Sequence, residues 1–222
     1  CPSCHDAIHH GQLDISDDTL YAWKGIERKS KPKTTHIYVE PSKEIKLLTG
    51  TIALTTTNES ATIFELSENN KLSFRVLDSD INLLNIAISD LQGNEVLKVI
   101  DNYIKIQDVN LVSFEQVPGH VRIMTNYINK FLPERLLKIM REEQPDYAKN
   151  NKTVLLELEV IKPGLVRVKG CWADNKVAVI ITNSSLSFLR DGLQRPLSMI
   201  GDGEGSVLIF AGSVTSAMFG FK

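Results

Sequence analysis

Ten residues at the start of the chain, Cys1-Pro2-Ser3-Cys4-His5-Asp6-Ala7-Ile8-His9-His10, concentrate the side chains that bind metals. Cys1 and Cys4 have the C-x2-C spacing from which two thiolates of one tight knuckle reach a single tetrahedral zinc. His5 and His9 stand four apart. On a helix starting near Cys4 their imidazoles share one face and can hold a second ion. Structural zinc takes four ligands, so a knuckle offering two is half a site. The expectation is that the polypeptide is a piece of a longer one, with the missing ligands upstream of Cys1.

Two other readings of the same residues stay open. C-x-x-C-H is the attachment signature of c-type haem, with His5 as proximal ligand. That chemistry needs an exported, oxidising setting, and it gives His9 no role. A zinc knuckle with no catalysis is the other.

The run C-P-x-C-H-x-x-I-H from Cys1 to His9 resembles the closing third of the HNH (ββα-metal) endonuclease motif. The resemblance implies that Cys1 and Cys4 hold a structural zinc. It implies that His5 and His9 lie on the metal-binding helix and hold the catalytic divalent ion, Mg, Mn or Zn. Gly11-Gln12-Leu13 suits the end of that short helix. In this family a general-base His takes a proton from water, while the metal steadies negative charge on the scissile phosphate and the leaving oxygen. The base and the family's central Asn lie upstream of the knuckle. The implied activity, cleavage of DNA phosphodiesters, therefore belongs to the full-length protein and not to this chain alone. The resemblance covers only the opening decapeptide of 222 residues.

The elements that must position these groups follow directly. Residues 14–23 read as a short helix, with Ser16 as N-cap and Leu20 and Trp23 as a small apolar face. Then Lys24, Arg28, Lys29, Lys31 and Lys33, set against Glu27 alone, form a basic segment that is either a solvated connector or a stretch contacting DNA phosphates. Residues 1–33 are thus expected to be the end of the zinc-knuckle module, and 34–222 a separate β-rich domain.

Short runs rich in Thr, Ile and Val fill that domain, at 35–39, 45–48, 51–57, 62–66, 72–76, 83–89, 95–99, 103–106 and 111–114. A second block follows at 154–161, 165–172, 176–182, 207–210 and 217–221. Turn residues such as Gly50, Asp101-Asn102 and Pro163-Gly164 separate them, and Gly93-Asn94 should close a hairpin. One helix is expected near 132–142, with Pro133 in its first turn and Pro145 after it. The expected class is α+β, mainly β: a truncated ββα-metal helix, then a sandwich- or barrel-like domain with one inserted helix.

Composition narrows the functions. With 42% hydrophobic and 23% charged residues the chain reads as an ordinary soluble globular protein. Its net charge of −2 gives no strong overall field for nucleic acid, although a local basic patch would suffice. No apolar run has membrane-spanning length. Three cysteines argue against a disulfide framework, so the cytoplasm is the default compartment.

Other candidate chemistry is thin. Cys171 beside Trp172 reads as a core residue. His36, on a strand beside the basic segment, and His120, in a turn after Pro118-Gly119, read as surface or satisfied structural residues. Gly201-Asp202-Gly203-Glu204-Gly205 precedes a strand-like run, which makes it a hairpin loop and not a phosphate cradle. A zinc deaminase would need H-x-E, which the sequence lacks. DNA is the expected partner of the opening segment. The β-rich domain is expected to bind a ligand or protein, and a homo-oligomer stays open. The competing reading is a non-catalytic β-rich binding module with a structural zinc knuckle.

Overall fold

Alternating and fully apolar runs from residue 33 onward become strands of two sheets. A computed structural model describes residues 32–212 and 216–221. Among the described residues there are seventeen strands. The first ten are β1 (Lys33–His36), β2 (Lys46–Thr49), β3 (Ile52–Thr56), β4 (Ser60–Ser67), β5 (Asn70–Leu77), β6 (Ile81–Ser89), β7 (Glu95–Ile100), β8 (Tyr103–Ile106), β9 (Val112–Val117) and β10 (His120–Thr125). Helix α1 (Glu134–Glu143) intervenes. Then come β11 (Thr153–Lys162), β12 (Leu165–Ala173), β13 (Val177–Ile181), β14 (Leu186–Arg190), β15 (Leu197–Met199), β16 (Gly203–Phe210) and β17 (Ala217–Phe219).

The first sheet has the order β1-β8-β7-β6-β5-β4-β17, antiparallel except where β17 runs parallel to β4. The second runs β15-β14-β13-β12-β11-β10-β9 and forks at β12. There β2 pairs in parallel with the first half of β12, while β13 takes the second half. The branch continues from β2 through β3 to β16. Gly50, at φ +63°, turns the β2–β3 hairpin at the fork, and a Cβ there would lie 2.5 Å from the Ser185 backbone. Only glycine fits.

One apolar core fills the space between the sheets. Ile63, Phe64, Leu72, Phe74, Leu84, Ile86, Val99 and Ile104 come from the first, and Ile123, Leu156, Leu158, Val166, Val168, Trp172 and Val179 from the second. Phe64 meets the fully buried Trp172 edge-on at 5.2 Å, the favoured arrangement for two rings. Asn70 ties the layers together, donating to Ser89 Oγ at 2.6 Å and to the Ala173 carbonyl at 3.0 Å. The architecture is a β-sandwich with one α-helix among the described residues, the mainly β, α+β class expected.

Helix α1 packs Leu136, Leu137 and Met140 inward. Pro133 sits at the cap position just before the first turn, and Gln144 ends the helix ahead of Pro145. Two hairpins carry the expected turn chemistry. Asp101 and Asn102, both at positive φ, join β7 to β8. Between β6 and β7, the Asp90 carboxylate accepts from the backbone N–H groups of Gln92 and Asn94, each at 2.9 Å, and Gly93 takes φ +87°. Among the described residues no helix is long and apolar enough to cross a membrane.

Candidate functional site

Cys1, Cys4, His5, His9, Lys24, Arg28, Lys29 and Lys31 lie outside the described residues, as does the helix expected over 14–23. Lys33 is described. It opens β1, and its ammonium lies 4.6 Å from the centre of the Phe114 ring on β9, a cation–π contact that competes with phosphate for the same charge.

That contact belongs to a seam. β1 is an edge of the first sheet and β9 an edge of the second. Thr35 Oγ1 donates to Gln116 Oε1 at 2.6 Å, and Gln116 Nε2 reaches the His36 carbonyl at 3.5 Å. Where the chain leaves β1, a cleft of about 490 Å³ opens beside the Pro118-Gly119 and Pro163-Gly164 turns. Both histidines singled out from the sequence line it, together with Tyr38, Glu40 and Lys162. Tyr38 is 66% exposed.

His120 is not a turn residue, because Pro118-Gly119 alone make the turn and His120 starts β10. Its Nε2 lies 3.2 Å from Oε1 of Glu157 on β11. The Glu157 side chain is only 4% exposed and also has two cationic partners, Arg122 and Lys169. Arg122 donates through Nε to Oε2 at 2.8 Å and through Nη2 to Oε1 at 3.2 Å, and Lys169 Nζ meets Oε1 at 2.8 Å. The three strands place these groups in register, with Arg122 opposite Glu157 and Glu157 opposite Lys169. Burial alone would push the Glu157 carboxyl up. The hydrogen bonds and charges of Arg122 and Lys169 outweigh it and hold the group at about 2. His120 is therefore a residue held by a permanent carboxylate, the satisfied structural role expected for it.

The remaining sequence candidates also find places. Cys171 is buried, and burial pushes its thiol up to about 12, so it is no nucleophile at neutral pH. The Tyr147 hydroxyl hydrogen-bonds it and is itself raised by burial. The segment Gly201–Gly205 is not the expected hairpin loop. β16 already begins at Gly203, whose N–H donates to Thr51 O at 2.9 Å, and the strand runs parallel to β3. A strand and not a helix N-terminus follows it directly, so it builds no phosphate cradle. Among the described residues no group of three His, Cys, Asp or Glu side chains could hold a metal ion.

Sequence reading passed over a second opening. Phe188, Leu197, Met199, Met218, Phe219 and Phe221 surround an apolar groove of about 390 Å³ at the opposite seam, between β14–β15 and β17. The signal was present as Met218-Phe219-Gly220-Phe221, but nothing in it tells a core strand from a groove wall.

Compared with protein-family models, curated proteins and solved structures, the chain gave no match.

Proposed function

We propose that this chain is the C-terminal portion of an HNH-type, metal-dependent endonuclease whose β-sandwich serves as a recognition module. One observation carries the reading: Cys1, Cys4, His5 and His9 stand at the spacing of a zinc knuckle followed by a two-histidine helix face. The donor set suits the ions. Two thiolates favour structural zinc, and two imidazoles leave a divalent Mg, Mn or Zn ion with positions open to water and phosphate. A divalent ion bound there supplies stabilisation of charge on the scissile phosphate. The protein's own part is to hold that ion through His5 and His9 and to lock the knuckle through Cys1 and Cys4. Lys24, Arg28, Lys29 and Lys31 would meet flanking phosphates. The compartment proposed is the cytoplasm.

The test uses the full-length protein. It should bind about one zinc per chain, as four-ligand structural sites do, and cut DNA with Mg²⁺ or Mn²⁺. His5→Ala and His9→Ala should each abolish cutting, and wild-type-like cutting by either removes the assignment.

A second reading draws on the extent of the sandwich and the ligand-sized openings at its two seams. In it the chain is a binding module and the knuckle a structural staple. The sequence preceding Cys1 discriminates. A further C-x2-C pair, a His and an Asn favour the nuclease, and their absence favours the module. A visible spectrum without a Soret band disposes of haem.

A further inference from the structure

The outer face of the first sheet carries an ordered array that the sandwich itself does not require. Its register places Ile100, Tyr103 and His36 side by side on β7, β8 and β1. The neighbouring row holds Lys98, Lys105 and Thr34, and it continues through Ala87 to Lys71 on β5. Residues two apart on a strand share a face and stand about 7 Å apart, while opposed residues on adjacent strands stand about 5 Å apart. Ile100 is 52% exposed and Tyr103 48%.

Two features of this array cost stability without a return inside the fold. Lys98 faces Lys105 directly, and like charges so placed destabilise a sheet. Glu95 draws Lys98 aside at 3.1 Å, but among the described residues no carboxylate pairs with Lys105 or Lys71. An aromatic ring and an isoleucine also stand in solvent beside that charge. The nearby acids are spoken for or lie at the margin. Asp101 is gripped by Arg75 at 2.7 and 2.8 Å, Glu95 is held by Lys98 and Gln107, and Glu65 lies opposite Lys71 at the far end.

The platform is also rigid. Next to Tyr103, the buried Asn102 side chain donates to Asn82 O and accepts from Leu84 N–H, both at 2.8 Å. It thus replaces the ladder bonds at the hairpin end. Stacking on a fixed ring costs less ordering than stacking on a mobile one.

We propose that this face binds an unpaired stretch of DNA. One base stacks on Tyr103 between Ile100 and His36, and the adjoining phosphates meet Lys105, Lys98 and Lys71. Aromatic stacking beside a row of cations is how sequence-tolerant single-strand binders work. β1, which supplies His36 and Thr34, is the strand into which the basic residues Lys24 to Lys33 lead. The choice of DNA as the polyanion rests on the nuclease reading above, and the face would be the place where the sandwich engages that substrate.

The test measures anisotropy of a labelled oligothymidylate with the full-length protein and no added Mg²⁺ or Mn²⁺, so that binding is read without cleavage and the structural zinc stays in place. Tyr103→Ala should weaken binding about tenfold or more, while Tyr103→Phe, which keeps the ring, should retain it. Lys105→Ala should weaken binding and lower the salt slope by about one. Single strands should bind more tightly than the matching duplex. Unchanged binding in both Tyr103→Ala and Lys105→Ala, or equal affinity for duplex and single strand, overturns the proposal. Cleavage assays with His5→Ala and His9→Ala keep the two ideas apart. Loss of cutting in the histidine variants with intact binding by both Tyr103→Ala and Lys105→Ala sinks this face alone, and the reverse pattern sinks the nuclease alone.

Discussion

The sandwich has two seams, and they are closed by opposite means. At β1/β9 the sheets are stitched by polar and cationic side chains: Thr35 to Gln116, Gln116 to the His36 carbonyl, and Lys33 over Phe114. At β15/β17 aromatic rings meet instead. Phe188 lies 4.9 Å from Phe219 and 5.8 Å from Phe221, and Leu197 on the groove wall is 67% exposed. Hydrogen bonds fix register and direction but add little net stability, whereas apolar burial stabilises without direction. A four-residue edge strand that receives the basic segment needs register. The far seam needs only cohesion, and it can stay open as a groove.

The most severe way to break this contrast is at the apolar seam. Phe188→Ala should cost about 3 kcal/mol, because it removes a nearly buried ring from a cluster of three. A urea midpoint unchanged from wild type would show that cohesion there comes from elsewhere.

Next in size is the charge lattice beside the polar seam. Glu157→Gln should cost about 2 kcal/mol, less than for a fully buried pair because Arg122 and His120 are partly in water. The pH dependence has a definite sign. The folded carboxyl at about 2 lies below its ordinary 4.5. Its contribution is therefore complete above 4.5 and is lost as pH falls through the folded value. Denaturant titrations across that window should slope for the wild type and flatten for Glu157→Gln.

Smaller effects sharpen the picture. Thr35→Val should cost about 1 kcal/mol and quicken amide exchange in β1 and β8 while leaving β14 and β15 unchanged. Lys33→Ala should cost about 0.5 kcal/mol, visible only as faster exchange in β1. Spread of either effect to the far seam would mean the two are coupled.

Much of the fold was legible because its strands alternate or run apolar between turn residues. Leu72-Ser73-Phe74-Arg75-Val76 declared β5, and the Asp-Asn and Gly-Asn turns declared both hairpins. β10 was hidden because Pro118-Gly119 drew His120 into the turn, although His120-Val121-Arg122-Ile123 alternates correctly. β14, Leu186 to Arg190, holds no β-branched residue and β15 has only three residues, so neither stands out, and the glycines of β16 disguise a strand whose register slips between Gly203 and Val207. The seam cleft and the lysine–tyrosine array were beyond reach for another reason. Thr35 and Gln116 are 81 residues apart in sequence, and only strand order brings them together. Lys71, Lys98 and Lys105 look like scattered surface charges until register aligns them.

The parallel pairings at the sheet margins dictate when this molecule can be completed. β16 lies against β3, with Val207 opposite Ala53, and β17 lies against β4, with Ala217 opposite Thr62. Neither partner exists until synthesis has passed residue 203 for β16 and residue 217 for β17, and closing such long loops is slow. During synthesis the edges of β3 and β4 wait uncovered for their last neighbours. A nascent chain stalled before residue 203 would therefore present two sticky margins to chaperones or to its own copies.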